Sequence, residues 1–266
     1  MTIELEPAPT LHSGPHSIRF TLSKQPCAQN EESCEVYLNN QWKRIRLHDY
    51  ASIYDIPGLY EQLFSIRLQC TSPQRVVQLF SEVLQEAGQS PLELRAIDVG
   101  AGNGLVGKEL RTLGVDSLVG IDILNEAAQA VGRDRPDLYD DYLAADLCNL
   151  QPKEMHRIFV RRPNCLVSVA ALGFGDIPPL AFANAFNLVS TPAWIIFNIK
   201  ETFLSGIDET GFSRLIRTLC DQEYMQIQAY RRYMHRLSVT GQRLFYVAMV
   251  ARKLRAFTEP VVGGLP

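Results

Sequence analysis

Hydrophobic and polar positions along the chain follow two periods, and their succession predicts an α/β protein. Short apolar runs predict buried strands, and apolar positions three and four residues apart predict the helices between them. The predicted strands span residues 94–99, 118–122, 141–147, 165–170 and 193–199. Since helical segments separate these strands, we expect them to lie parallel in one sheet with helices on both faces.

The N-terminal part of the chain has a different pattern. Residues 1 to about 30 contain four prolines and show little periodicity, so we expect them to be irregular and partly disordered. A β-hairpin is predicted next, because Asn39 and Asn40, which tolerate positive φ, separate two strand-like runs. We therefore divide the chain into residues 1–70, an arm with a hairpin and an aromatic segment, and residues 71–266, a larger α/β domain.

A glycine-rich turn follows the first predicted strand of the larger domain. Asp98 is followed by Gly100, Gly102 and Gly104, and a helical pattern begins at Leu105. Glycine allows positive φ and lets a ligand approach the backbone where a Cβ would block it. At the carboxyl end of a strand in a parallel sheet, such a turn predicts the floor of a cofactor site.

Two cofactor classes fit the glycines alone. Gly102, Gly104 and Gly107 match the dinucleotide fingerprint, and Asp122 lies about where an acid would bind the ribose. The Asp98 carboxylate, however, would repel a pyrophosphate and would suit a cationic ligand that carries an ammonium group. Too little chain also follows residue 150 to complete the sheet and supply a separate substrate domain. An NAD(P)-dependent oxidoreductase is therefore the less favoured hypothesis.

With Asp98 included, the turn resembles the first motif of class I S-adenosylmethionine-dependent methyltransferases, and the resemblance covers about residues 94–252. In that family the acid after the second strand, here Asp122, binds the ribose hydroxyls, and the acid after the third, here Asp146, binds the adenine amino group. Each acid alone would also fit an ordinary cap or turn. The resemblance implies S-adenosylmethionine as cofactor and S-adenosylhomocysteine as product. The implied cofactor contacts are Asp98, Gly100, Ala101, Gly102, Gly104, Asp122, Ile123, Asp146, Leu147 and Ala170.

The resemblance also implies the architecture. It is a Rossmann-like, doubly wound α/β fold whose seven-stranded sheet is mostly parallel and ends in an antiparallel hairpin. The sequence supplies that hairpin at about residues 224–235 and 244–252, and the N-terminal hairpin with its aromatic lid would be attached to the sheet. Tyr50, Tyr54 and Tyr60 would either pack the N-terminal hairpin against the sheet or close over the cofactor, and both alternatives stay open.

The acceptor side is less well defined by the sequence. Residues 170–177 are small and apolar and should line the acceptor pocket. Asp176 stands in an interrupted form of a motif used by amino-methylating enzymes, but it is equally well explained as a helix N-cap. His48 and His235 are the histidines that we consider as a general base. Lid or substrate candidates are Tyr50, Tyr54, Tyr60, Phe174 and Lys200.

Several basic residues cluster on the C-terminal hairpin, where they predict either a solvated face or a contact for an anionic group. They are Arg231, Arg232, His235, Arg236 and Arg243.

Composition narrows the classes of partner. The chain has 266 residues, 46% of them hydrophobic, a formal net charge of -3 and a pI of about 6.0, so no overall positive field would gather nucleic acid or an anionic membrane. Its six cysteines are scattered without a Cys-x-x-Cys pair, which disfavours a zinc site or a disulfide framework. We expect no metal, no signal peptide, a cytoplasmic location and a small-molecule substrate, and the sequence leaves the oligomeric state open. The alternative function is a cofactor-binding regulator or partner protein without transfer chemistry.

Overall fold

A computed structural model describes residues 14–20, 28–204, 208 and 210–257. Within them, the N-terminal part forms a small antiparallel sheet with the strand order β1-β2-β3. Its elements are β1 (Ile18–Phe20), β2 (Ser33–Leu38), β3 (Gln41–Arg46), α1 (Tyr50–Tyr54) and a π-helix (Glu61–Arg67).

The predicted N-terminal hairpin is confirmed. Asn39 and Asn40 have φ values of 50° and 64°, and they join β2 to β3 in antiparallel register. The expectation of an irregular segment up to about residue 30 is wrong for Ile18–Phe20, which pairs with β2. Such a short strand is stabilised by its partner and leaves no periodic signal of its own. The remainder of that expectation, at residues 1–13 and 21–27, lies outside the described residues.

The main sheet contains seven strands in the described part of the chain, in the order β6-β5-β4-β7-β8-β10-β9. They are β4 (Arg95–Val99), β5 (Ser117–Asp122), β6 (Asp141–Ala144), β7 (Cys165–Ser168), β8 (Ala193–Lys200), β9 (Met225–Leu237) and β10 (Arg243–Lys253). The pairs from β6 to β8 are parallel, and β10 runs antiparallel to both β8 and β9. The predicted fold class, a mostly parallel α/β sheet with a terminal antiparallel hairpin, is therefore confirmed.

Helices cover both faces of this sheet, and the alternation of side chains along β4 shows why. Ala96 belongs to the core that packs beneath α2 and α3, whereas Ile97 belongs to the core beneath α6 and α7. The helices are α2 (Ser72–Glu86), α3 (Leu105–Leu113), α4 (Asn125–Asp134), α5 (Pro152–Phe159), α6 (Pro179–Leu188) and α7 (Phe212–Asp221). Gly114 ends α3 with φ 106°, in the left-handed conformation expected of a helix C-cap.

A buried ion pair attaches the N-terminal sheet to the C-terminal hairpin, near the turn between β9 and β10. Arg236 in β9 donates to Glu32 Oε2 at 2.6 Å, and both side chains are 3% exposed. The other Glu32 oxygen accepts a hydrogen bond from the backbone of Val239 at 2.7 Å. A buried charge without its partner is costly, so these contacts hold the N-terminal part against the main sheet. The division of the chain at residue 70 stays a prediction.

The basic residues of the C-terminal hairpin do not form one free face. Arg236 is buried against Glu32, and His235 is also buried. Arg231 pairs with Glu82, and Arg232 pairs with Glu201. Most of the positive charge expected at this hairpin is therefore already paired with carboxylates of the same chain.

Candidate active site

A cavity of about 450 Å3 lies at the carboxyl ends of β4, β5, β6 and β7, beneath the lid segment, which we define as residues 48–70. This is the edge of an open α/β sheet where ligands generally bind, and the volume is in the range of small-molecule sites. The sequence-predicted residues on its wall are His48, Tyr50, Tyr54, Tyr60, Gly100, Ala101, Gly102, Asp122, Ile123, Asp146, Leu147, Ala170 and Asp176. Those that do not line it are Asp98, Gly104, Phe174, Lys200 and His235.

In the glycine turn, residues 100–104, a Cβ at any of the three glycines would come within 3.0 Å of a neighbouring side chain. Gly100 has φ 70°, and a Cβ there would come within 2.6 Å of the Ala171 Cβ. Gly102 has φ 54°, and a Cβ there would collide with the Tyr54 hydroxyl. Glycine is thus required both by the backbone conformation and by close packing under the lid segment.

Two carboxylates, Asp122 and Asp146, follow the two strands that lie beyond β4 in the sheet order. Asp122, at the end of β5, accepts hydrogen bonds from the backbone of Gly102 and of Leu124, both at 3.0 Å. Burial raises the pKa of Asp122, and these two hydrogen bonds oppose the shift. Asp146, after β6, accepts from the Cys148 backbone at 2.8 Å and is otherwise exposed. Both acids therefore make turn-type contacts and also present a carboxylate to the cavity.

Asp98 differs from its expected position at the cavity wall. It is fully buried on the same face of β4 as Ala96, because side chains alternate along a strand. The Tyr139 hydroxyl donates to its Oδ2 at 2.7 Å, and no described residue donates to its Oδ1. Burial raises the pKa of Asp98 to about 7. This carboxyl does not line the cavity, so its direct contact with a ligand stays a prediction.

Four aromatic rings form the roof of the cavity. The ring centroids of Tyr50 and Tyr54 are 6.2 Å apart, those of Tyr54 and Tyr60 are 5.1 Å apart, and those of Tyr60 and Phe64 are 4.7 Å apart. Burial raises the pKa of all three tyrosines, so their hydroxyls stay neutral. The rings pack on one another and also line the cavity, so the two alternatives for this segment are compatible.

A polar contact joins the lid segment to the glycine turn. Glu61, at the start of the π-helix, forms an ion pair with Arg135 at the end of α4. The same guanidinium donates to the backbone carbonyl of Asn103 at 2.8 Å, and the Asn103 amide donates to Glu61 at 3.4 Å. Arg135 gave no signal in the sequence, because its role depends on residues that lie 32 and 74 positions away.

His48 and Asp176 meet at the cavity wall, although 128 positions separate them in the sequence. His48 Nδ1 lies 3.0 Å from Asp176 Oδ2, and the histidine side chain is 11% exposed. The alternative of an N-cap for Asp176 is wrong, because α6 begins at Pro179 with Pro178 as its N-cap. An ionised carboxylate only accepts hydrogen bonds, so it fixes the proton on Nδ1 and leaves Nε2 as an acceptor.

The remaining substrate and base candidates lie outside the cavity wall. Phe174 packs between His48 and Phe203, at ring distances of 5.4 and 4.9 Å, and the Lys200 ammonium lies 5.0 Å from its centroid. The ring of His235 is buried with Nδ1 2.6 Å from the Ser72 hydroxyl. Burial, reinforced by Arg236, lowers the pKa of His235 well below its usual value. His235 thus contributes to the core, and its assignment as a base does not fit this position.

Sequence reasoning missed a buried polar network beneath the end of β7. Asn198 accepts from the Ala170 backbone at 2.6 Å and donates to the Tyr233 and Ser72 hydroxyls at 2.5 and 3.2 Å. These bonds hold Ala170 at φ 58°, a conformation that is uncommon for a residue with a side chain. The sequence does contain one signal of this network, since Asn198 is a polar residue within the otherwise apolar run of β8.

Comparison with known proteins shows a likeness of fold. No model of a protein family and no curated protein matches the sequence. The plantazolicin methyltransferase BpumL, solved with S-adenosylhomocysteine, matches at a TM-score of 0.50 and 14% identity, over 77% of this chain and 89% of that one. The chain has the class I methyltransferase fold. Two further structures with this fold also match.

The first is an S-adenosylmethionine-dependent methyltransferase from Methanosarcina mazei, with a TM-score of 0.47 and 15% identity over 65% of this chain and 97% of that one. The second is the magnesium protoporphyrin IX methyltransferase of Synechocystis PCC 6803 with bound S-adenosylmethionine. It matches with a TM-score of 0.45 and 16% identity, over 68% of this chain and 79% of that one. At these identities the likeness concerns the methyltransferase fold alone.

The charges on the cavity wall indicate which cofactor the cavity can bind. Among the wall residues that the structure describes there is no lysine or arginine, whereas Asp49, Asp122, Asp146 and Asp176 are all present. A dinucleotide pyrophosphate would have no cationic partner on this wall, whereas a cofactor with a sulfonium and an ammonium group would face carboxylates. The residues present therefore fit S-adenosylmethionine.

The described residues contain no group of three or more histidine, cysteine, aspartate or glutamate side chains placed to hold a metal ion. No helix in the described part of the chain is both long and apolar enough to cross a membrane.

Proposed function

We propose that the protein transfers a methyl group from S-adenosylmethionine to a small-molecule acceptor. The observation that carries this proposal is the His48–Asp176 pair, which lies on the wall of the same cavity as the glycine turn and Asp122. The related fold of BpumL, which was solved with S-adenosylhomocysteine, supports the choice of cofactor. The cytoplasmic location and the exclusion of nucleic acid stay predictions.

Several groups of this chain would hold the cofactor. Gly100 and Gly102 allow it to approach the turn, Asp122 and Asp146 provide carboxylate acceptors for its hydroxyl and amino groups, and Leu147 offers a backbone N–H. When bound, the cofactor supplies an electrophilic methyl carbon on a sulfonium, which departs as a neutral sulfide with the carbon–sulfur electron pair.

The contribution of the protein to methyl transfer would be orientation, enclosure and proton removal. The lid segment keeps water from the cavity, and the wall holds the acceptor at an attacking distance. His48 Nε2 accepts a proton from the acceptor atom as that atom attacks the methyl carbon, and Asp176 stabilises the resulting imidazolium through Nδ1. The aromatic roof limits the size of acceptor that the cavity admits, and the small side chains at 170 and 171 leave room for it.

Labelled transfer into a cell extract tests this proposal. The protein is incubated with methyl-labelled S-adenosylmethionine and extract, which is then separated into RNA, DNA, protein and low-mass fractions. We expect the label in the low-mass fraction. Label confined to a macromolecular fraction would overturn the small-molecule assignment. Binding of S-adenosylhomocysteine without any transfer would instead favour the regulator hypothesis.

Cofactor binding is tested by removing the charge of Asp122. We expect Asp122→Asn to weaken S-adenosylhomocysteine binding by roughly 10-fold to 100-fold, the scale of hydrogen bonds to a charged group. Isothermal titration calorimetry measures this loss. Asp137→Asn is the matched control, since Asp137 is exposed, lies off the cavity wall and has a positive φ that asparagine tolerates. Equal affinity of both variants would remove Asp122 from the cofactor site.

A further inference from the structure

The distribution of charge around the acceptor side of the cavity restricts the class of acceptor. We propose that the acceptor is a small amine that binds as its ammonium ion between the lid aromatics and the carboxylates of Asp49 and Asp176. This inference rests on the proposed methyl transfer and deepens it by naming the atom that is methylated, a nitrogen.

The wall carboxylates form two groups, one on each side of the glycine turn in the strand order. Asp122 and Asp146 follow β5 and β6, on one side of the glycine turn in the strand order. Asp176 follows β7, on the other side of the turn, and it holds His48, which is next to Asp49 in the chain. The second group therefore remains on the acceptor side when the first is engaged by the cofactor.

Two neighbouring cations, Lys200 and Arg236, are held by other groups of the chain. The Lys200 ammonium lies over the rings of Phe174 and Phe203, and burial, followed by repulsion from Arg236, lowers the pKa of this lysine. Arg236 is paired with Glu32. Neither cation reaches the cavity wall. A carboxylate or phosphate on the acceptor would thus face carboxylates and would find no cationic partner on this wall, which is unfavourable.

The aromatic roof can also bind a cation. Tyr50, Tyr54, Tyr60 and Phe64 all contribute to the cavity wall, and their neutral rings can attract a cation by its interaction with the π system. Tyr50 is close enough to Asp176 for the carboxylate to raise its pKa, after the larger effect of burial. An ammonium ion in this part of the cavity would therefore contact both a ring face and a carboxylate.

In the proposed methyl transfer to an amine, His48 acts as the base. One ammonium proton passes to His48 Nε2, and the freed nitrogen lone pair forms the bond to the methyl carbon while the carbon–sulfur bond breaks. The electron pair of that bond stays on the sulfur, and the product is a methylated ammonium ion. Asp176 remains ionised and holds the protonated ring.

Analysis of the labelled product tests this inference. The enzyme is incubated with trideuteromethyl-labelled S-adenosylmethionine and low-mass extract, and the products are separated by cation and anion exchange and fragmented by mass spectrometry. We expect the label on nitrogen, in a product retained by the cation exchanger. Label on an oxygen or carbon atom, or in an anionic product, overturns the amine assignment and leaves methyl transfer intact. No label in any fraction overturns the proposed function as well.

A wall variant gives a second, independent readout. Asp49→Asn removes one carboxylate and keeps the α1 cap, since asparagine caps helices as well as aspartate does and Asp49 accepts from the Ser52 backbone. We expect the KM for the amine identified by that label to rise about 2-fold to 5-fold, with S-adenosylhomocysteine affinity unchanged. Asp55→Asn, at the other end of α1 and off the wall, is the control. An equal KM in both variants and the wild type contradicts the role of Asp49.

Discussion

The carboxyl of Asp98 is fully buried, the Tyr139 hydroxyl is its one hydrogen-bond donor among the described residues, and this burial makes the stability of the protein depend on pH. Its pKa is about 7 in the folded protein, compared with 3.8 for an ordinary aspartate. Between these values the folded state keeps a proton that the unfolded state has lost. The stability contributed by this group is therefore present below about pH 4 and is lost as the pH rises to about 7.

Asp98→Asn removes this titration. We expect the free energy of unfolding of the variant, relative to the wild type, to increase from pH 4.5 to pH 8 by up to about 4 kcal/mol, since one pKa unit corresponds to about 1.4 kcal/mol. Urea unfolding at several pH values measures the difference. Tyr139→Phe should widen the pH window, because the hydroxyl lowers the pKa of Asp98. A difference between variant and wild type that is constant with pH would contradict this account.

The His48–Asp176 pair predicts a separation between binding and catalysis. His48→Gln keeps a polar side chain but cannot take a proton at neutral pH, so we expect the methyl-transfer rate to fall about 100-fold or more. S-Adenosylhomocysteine affinity should stay within about twofold, because the pair serves proton transfer. Single-turnover kinetics and calorimetry give the two quantities. His156→Gln, an exposed substitution on α5, is the control, and an equal rate in both variants would remove His48 from the mechanism.

At the scale of elements, a buried lysine from β10 binds the C-terminal end of α6. The Lys253 ammonium, in β10, donates to the carbonyls of Phe186 and Val189 at 2.8 and 2.7 Å. The last carbonyls of a helix have no partners within the helix, and a cation there also interacts favourably with the helix dipole. Lys253 therefore joins the end of α6 to the C-terminal hairpin.

Lys253→Met retains most of the buried volume and removes the donor. We expect a loss of about 1–3 kcal/mol in the free energy of unfolding, because two buried carbonyls lose their partner. Chemical denaturation measures this loss. Lys153→Met on α5, where the side chain is exposed, should change the stability by less than about 0.5 kcal/mol. Similar effects of the two substitutions would show that the α6 contact contributes little.

Elements with a local signal could be predicted from the sequence. The apolar runs of β4, β5, β7 and β8 and the glycine that ends α3 each depend on neighbouring residues, so their positions follow from periodicity and turn chemistry. The three residues of β1 and the π-helix could not be predicted in this way, because pairing with β2 and packing of the lid segment stabilise them.

The same distinction applies to the candidate site. The glycine turn, Asp122 and Asp146 lie directly at strand ends, so their convergence on one sheet edge follows from the order of the strands. The approach of His48 to Asp176 depends instead on where the N-terminal sheet docks. No short-range pattern encodes that docking.

At the scale of the whole molecule, Glu61, Arg135 and Asn103 join the lid segment to the end of α4 and to the glycine turn. If this segment closes over the cofactor, amide exchange in residues 48–70 should slow when S-adenosylhomocysteine is added. Arg135→Gln removes the ion pair, so exchange there should become faster and affinity for the product should fall. Hydrogen exchange with mass spectrometry measures both states.

Arg75→Gln, an exposed change on α2, is the matched control and should leave the exchange pattern as it is. Equal exchange across the lid segment with and without S-adenosylhomocysteine would favour a purely structural packing role for its aromatic rings.

The buried pair of Glu32 and Arg236 also imposes an order on protein synthesis. The ribosome adds 204 residues between the two, which at about 5–20 residues per second takes about 10–40 s. During that interval the glycine turn and the strands around it can already have left the exit tunnel, while Glu32 still lacks its counter-ion. We therefore expect the N-terminal sheet to dock among the last events of folding on the ribosome, after the floor of the cavity has formed.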